Sequence, residues 1–170
     1  MAHDQNADTI SVLNELIETC RDGVNGFRTA AEAVEHSAAK TLFTSRIPII
    51  EHATAELEAH VRRLGGEPET TGHVAASIHR GWIDLKAAVT GKNDAAIITE
   101  CERGEQVAVT NYEAALKKEL PVEVRTIVER QYHGTVQNLE KVRALGQGAN
   151  ASSPTIAPTP AVDKGTSPRA

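Results

Sequence analysis

The sequence predicts an all-α four-helix bundle whose middle connection is long, and three observations carry that expectation. Four long stretches repeat apolar residues at spacings of three and four, the period of an amphipathic helix. The chain is 40% hydrophobic but only 3% aromatic, so its core is aliphatic and alanine-rich, as suits helices packed closely together. A long connection, Glu67 to Asn93, separates two helical pairs whose own links are short. With 170 residues, the chain suits one domain plus a tail and can bury a real core.

The first helix is expected from Thr9 to His36, with Asp8 or Thr9 as its N-cap. Ile10, Leu13, Ile17, Cys20, Val24, Phe27, Ala31 and Val34 form its apolar stripe, opposite a polar face of Glu18, Asp22, Asn25 and Thr29. Gly23 and Gly26 inside it mark close helix contact or a bend. The second helix is expected from Ala39 to Leu64, stopped by Gly65-Gly66. Pro48 implies that it begins or bends there. Glu67-Pro68-Glu69 and Gly72 read as loop, and His73 to Val89 as a shorter helix carrying Trp82. The third long helix runs from Asp94 to Glu119, capped by Asn93 or Asp94. Pro121 opens the fourth, which reaches Leu145 and ends at Gly146. Up-down-up-down bundles need only short loops, whereas a ferritin-like bundle needs one long crossover, and this chain has one.

The domain layout follows: a flexible N-terminus over 1–8, the bundle over 9–146, and a disordered tail over 147–170. The tail is rich in Pro, Ser, Thr and Ala without periodicity, so it cannot bury enough apolar surface to offset its ordering entropy. Its Pro-rich sequence leaves open a role as a docking peptide. The formal net charge of -5 and the lack of a basic stripe argue against a nucleic-acid partner. No apolar run approaches the roughly 20 residues that span a bilayer, and the N-terminus lacks the features of a secretory signal. Cys20 and Cys101 fall on apolar stripes, as buried free thiols do in a reducing compartment, which places the protein in the cytoplasm.

The chemistry-bearing feature is Glu105. It falls near the centre of an otherwise apolar stripe of Ile98, Cys101, Ala108, Val109, Tyr112, Ala115 and Leu116. Burying an unpaired carboxylate costs several kcal/mol, so Glu105 needs a cation, a metal or a proton. On the second helix, Arg46, Glu56 and His60 lie on or beside the apolar stripe. Glu102 stands one turn from Glu105. Carboxylates and imidazoles on facing helices build metal sites in bundles. They also build buried salt-bridge networks, and an Arg fork matches a carboxylate. Glu56, His60, Glu102 and Glu105 are thus candidate metal ligands; Arg46, Glu56, His60, Glu105 and Tyr112 are the candidate buried network. Glu-x-x-x-His stands on the second helix at Glu56 and His60 and on the fourth at Glu129 and His133, but the latter pair points away from its stripe and reads as a surface pair. The first helix offers no carboxylate on its apolar stripe.

Several blocks resemble a bacterial four-helix-bundle family of unknown function in the ferritin-like superfamily. They are Leu13-Asn14-Glu15-Leu16-Ile17, Asp22-Gly23 with Gly26-Phe27, Glu56-Leu57, Leu64-Gly65-Gly66-Glu67-Pro68, His79-Arg80-Gly81-Trp82, and Glu102-Arg103-Gly104-Glu105 with Tyr112. The resemblance spans Ile10 to Leu145 and implies a ferritin-like fold without a settled activity. Ferritin-like relatives often bind two iron or manganese ions and handle oxygen or peroxide, so iron or manganese is the implied cofactor. The family's fourth helix carries a His-Asp pair near the position of Leu139-Glu140, and Leu139 leaves that ligand missing here.

Two functions follow as alternatives. One is a stress or metal-handling protein with iron or manganese between its long helices. The other is a metal-free bundle with a buried Arg/Glu/His network that acts through its surface, by homo-oligomerisation or partner binding. Whether either is enzymatic is not legible in the sequence.

Overall fold

The computed structural model describes residues 2–70, 82 and 84–151. Five helices lie in this part: α1 (Ala2–Ala33), α2 (Ser37–Arg63), α3 (Leu85–Thr90), α4 (Asp94–Leu116) and α5 (Val122–Ala151). No strand is present among the described residues, and none of their helices is long and apolar enough to cross a membrane.

Cross-helix contacts fix the topology. Arg21 pairs with Glu58 and Arg28 with Glu51, so α1 and α2 are antiparallel neighbours. Glu102 pairs with Arg143 and Tyr112 with Gln131, which sets α4 against α5 in the same way. Thr19 meets Asn111 while the Glu35 amide meets Asp94, so α1 and α4 are also antiparallel. Arg63 meets Glu123 and Arg46 meets Thr135, which does the same for α2 and α5. The helices α2 and α4 therefore occupy one diagonal of the bundle and run in the same direction. The chain between them must travel back along its length, about 40 Å for the 27 residues of α2. This is the long crossover that the sequence implies.

Local chemistry explains the ends. The α2 helix starts at His36, whose Nδ1 accepts the Ala39 N–H at 3.3 Å. It stops at Gly65, where φ is +85°, a left-handed conformation that favours glycine. The Gly65 N–H donates to Arg62 O and the Gly66 N–H to Val61 O, each at 3.0 Å, and so satisfies carbonyls that the helix end would orphan. Asn93 caps α4 by accepting the Ala96 N–H at 3.1 Å. The Asp94 carboxylate accepts the N–H groups of Glu35 (3.0 Å) and His36 (2.7 Å), tying the α1–α2 turn to the start of α4.

Some boundaries differ from the sequence reading. The first helix begins at Ala2 rather than Thr9, so residues read as a flexible N-terminus are helical, and it ends at Ala33. Thr9 is buried, and its hydroxyl donates to Gln5 O at 2.8 Å inside the helix instead of capping it. Pro48 neither starts nor breaks α2; it and Thr44 are exposed, so the carbonyl that the proline leaves without a donor can face solvent. The last helix passes Gly146 and reaches Ala151. Of the expected His73–Val89 helix, residues 73–81 and 83 lie outside the described residues, as do Gly72 of the preceding loop and tail residues 152–170.

Two aromatic contacts of Phe27 join α1 to α2 and to the crossover. Phe27 packs against Phe43 (ring centroids 5.6 Å apart) and edge-on against Trp82 (5.3 Å). The Trp82 indole lies over Gly26 of α1 and Gly104 of α4, where an added Cβ would overlap the ring. Gly26 thus marks the close approach of a side chain from the crossover, rather than a bend.

Candidate functional site

Polar side chains from all four long helices meet at the middle of the bundle. Glu105 of α4 is 2% exposed and Arg46 of α2 is 7% exposed. Their side chains bridge the diagonal, Arg46 Nη2 to Glu105 Oε1, at 2.8 Å. Asn138 Nδ2 of α5 donates to the same oxygen at 2.8 Å. Arg46 Nη2 also donates to Thr135 Oγ1 at 3.2 Å, and that hydroxyl donates to Gln131 O at 2.9 Å. Burial pushes the Glu105 carboxyl above its usual range, while Arg46 and the Asn138 amide pull it back.

A second string of contacts also joins the four helices. Tyr112 of α4 donates its hydroxyl to Gln131 Oε1 of α5 at 2.9 Å, which leaves its oxygen to accept the Cys20 thiol of α1 at 3.4 Å. Gln131 Nε2 donates to Glu56 Oε2 of α2 at 2.8 Å and to Ala53 O at 3.3 Å. Arg130 pairs with the other oxygen of Glu56. Burial raises the Tyr112 hydroxyl well above its ordinary value and raises the Cys20 thiol, so both stay protonated at neutral pH. Burial would raise Glu56 too, but hydrogen bonds from Arg130 and Gln131 outweigh it and hold the carboxyl below its ordinary value.

Between the two strings lies a cavity of about 170 Å³. Cys20, Arg46, Glu56, Glu105, Tyr112 and Gln131 line it, together with Ile49, Ile50, Ala108 and three glycines. Arg46 Nε is buried and has no hydrogen-bond partner.

The four candidate metal ligands are not gathered. Glu56 and Glu105 share the cavity, and Glu105 is engaged by Arg46 and Asn138. His60 lies about 20 Å further along α2 from Arg46, at 1.5 Å per residue, where it contacts Arg63. Burial and the Arg63 charge lower its imidazole below the ordinary value. Glu102 is half-exposed and pairs with Arg143 Nε at 2.9 Å. Leu139, at the position of the missing ligand, is buried in apolar fashion. Among the described residues no three His, Cys, Asp or Glu side chains could together hold a metal ion. The donor set does not fit the dimetal centre that the fold brings to mind. A divalent ion on Glu105 would face the Arg46 guanidinium.

Sequence reasoning missed several members of the site. Asn138 and Thr135 are the buried partners of Glu105 and Arg46. With Gln131 they stand at spacings of four and three on the stripe that also holds Val128 and Val142, so a second polar seam was readable there. Cys20 read as a plain apolar residue, yet it touches Tyr112. Two further carboxylates are buried outside the site, Glu18 on α1 and Glu100 on α4. The polar-face assignment of Glu18 hid the first. Glu100 pairs with Arg103 at 3.2 Å, the next turn of its own helix.

Comparison with known proteins adds a family. Residues 8–118 match the domain of unknown function DUF2383, and the chain belongs to that family. Among solved structures it is similar to a two-domain protein from Anabaena variabilis that contains DJ-1/ThiJ/PfpI-like and ferritin-like domains. The TM-score is 0.72 at 17% identity, over 97% of this chain and 42% of that one. At that identity the likeness shows the fold, a ferritin-like helical bundle. The chain spans less than half the length of that protein. No curated protein matches the chain.

Proposed function

We propose that this ferritin-like domain is a metal-free binding module, its centre held by an ion pair where related architectures gather metal ligands. The observation that carries this reading is the contact of Arg46 and Glu105 across the diagonal of the bundle. The guanidinium already supplies the positive charge that Glu105 needs. It would repel an ion at the same oxygen by roughly 4 kcal/mol per unit charge at 4 Å. Glu56 is likewise engaged, by Arg130 and Gln131. The buried free thiols Cys20 and Cys101 support a reducing compartment such as the cytoplasm. In the Anabaena protein the ferritin-like domain shares its chain with a second domain, which supports the idea of a bundle that works beside others.

The competing reading, iron or manganese in a stress or metal-handling role, is supported by the fold and by the two carboxylates that line one cavity. Metal content separates the two. Full-length protein purified without a His tag or chelator is expected to carry iron and manganese far below one ion per chain. One or two ions per chain, retained through gel filtration, would overturn the metal-free reading.

A further inference from the structure

We infer that the central cavity is a binding site for a small, uncharged, mainly apolar molecule the size of a single ring. The inference rests on the metal-free reading, since an ion between Glu56 and Glu105 would take the same space. It deepens that reading by naming the occupant's chemistry.

The pattern of burial along two helices shows which side chains face the space. Ala108 stands at the centre of the inward face of α4, flanked at helical spacing by the buried Gly104, Glu105, Tyr112 and Ala115. Ala53 stands likewise on α2, among the buried Arg46, Ile50, Leu57 and His60. Both alanines are nevertheless only half-buried, and both line the cavity. A residue centred on an inward face keeps accessible surface only where its neighbours leave a void, so both methyl groups face the cavity, across the diagonal of the bundle.

Three observations define the occupant. The first is size. The cavity is about 170 Å³, and an apolar cavity of about 150 Å³ accepts benzene, so a molecule of about six to eight heavy atoms fits. The second is polarity. The polar side chains of the wall are turned on one another: Glu105 on Arg46, Tyr112 on Gln131, and Glu56 on Gln131 and Arg130. The Thr19 and Thr135 hydroxyls donate to carbonyls of their own helices. Arg46 Nε, which lacks a partner, is itself buried and asks nothing of an occupant. Both cations are paired, so a charged occupant would enter a partly buried place without a counter-ion. A void costs stability, and apolar contact with Ile50, Ala53 and Ala108 restores it. The third is the entrance. Ile49 and Val122 are the exposed large hydrophobic residues among those described, and Ile49, 57% exposed, also lines the cavity. It places an apolar side chain where cavity and solvent meet.

The test uses the full chain and three single-ring probes: toluene, benzoate and benzylammonium. Methyl NMR shifts of Ile50 and Ala108 read binding, with Val122 as the exposed apolar control, and thermal melts read stabilisation. Toluene is expected to bind saturably, with a dissociation constant on the order of 1 mM or tighter. It should bind at least about tenfold tighter than either ion, because each ion must shed water without gaining a partner. Ala108→Leu and Ala53→Leu fill the space from opposite walls, and each should weaken toluene binding at least about tenfold. If one variant fails to fold the other decides, and if both fail the three probes on wild type decide. Ions that bind as tightly as toluene, shifts at Val122 as large as those at Ile50 and Ala108, or undiminished toluene binding to a folded filled variant would overturn the proposal. So would no toluene binding in protein whose melt ferrous ion leaves unmoved, the result expected of a water-filled cavity; the metal-free reading would then stand alone. Ferrous ion that raises the melt and displaces toluene would overturn the metal-free reading, and this inference with it.

Discussion

Replacing Arg46 and Glu105 singly and together tests whether the central ion pair is buried in the way described. Arg46→Met leaves the Glu105 carboxylate, 2% exposed, with only the Asn138 amide for company. Glu105→Leu leaves the guanidinium with only Thr135. Breaking a buried pair by removing one partner costs about 3 to 5 kcal/mol. For a domain of this size each kcal/mol moves the melting temperature by about 2 to 4 °C, so each single variant should melt about 6 to 20 °C lower. The double variant removes both charges and both desolvation costs. Apolar replacement of a buried pair often gains about 1 to 4 kcal/mol. Here Asn138 loses its acceptor, which costs about 1 to 3 kcal/mol, while Thr135 keeps its bond to the Gln131 carbonyl. The two effects roughly cancel, and the double variant should melt near wild type. The decisive feature is the sign: adding the second change to either single variant must raise stability. Urea and thermal unfolding of the four proteins at pH 7 measure it. A double variant less stable than either single would show that the two charges are not a buried pair.

Gly104→Ala should lower stability by about 1 to 3 kcal/mol through overpacking against the Trp82 ring, despite the roughly 1 kcal/mol that alanine gains over glycine in a helix; a more stable variant would show that the indole is not seated there. Alkaline pH should destabilise the protein through Cys101. Its thiol is fully buried, and burial, then the charges of Glu105 and Glu100, push it well above its ordinary value of 9.0. The unfolded thiol ionises near that value while the folded one does not, so stability holds below pH 9 and falls as pH rises beyond it, by up to about 1.4 kcal/mol per pH unit. Cys101→Ala should flatten that slope in urea melts between pH 8 and 10.5, and an unchanged slope would count against it.

The parts of the account legible in the sequence are those set by periodicity and by glycine. The stop at Gly65, the cap at Asn93 and the crossover all rest on local chemistry that one stretch of chain displays. Glu105 was legible for the same reason, since a carboxylate on an apolar stripe is a local contradiction. Its partner needed the topology: Arg46 reaches it only because α2 and α4 lie on one diagonal. The start of the first helix was not legible because Asp8-Thr9 carries a capping signal that the preceding helical residues override. Asn138 escaped because Leu139 next to it offered a more apolar reading of the same turn. The seating of Trp82 over Gly26 and Gly104 joins three distant segments, and no spacing rule connects them.

On the metal-free reading Arg46, and not a metal ion, compensates Glu105. The measurement that tests it most directly is a set of anaerobic melts of wild type and Glu105→Gln, each with and without ferrous or manganous ion. An ion that binds the folded state at a hundred times its dissociation constant stabilises it by about 2.7 kcal/mol, a readily measured shift. Compensation by Arg46 predicts a wild-type melt unmoved by either ion and a Glu105→Gln melt that is lower by the same amount with metal as without. A wild-type melt raised by metal, with the rise lost in Glu105→Gln, would contradict it.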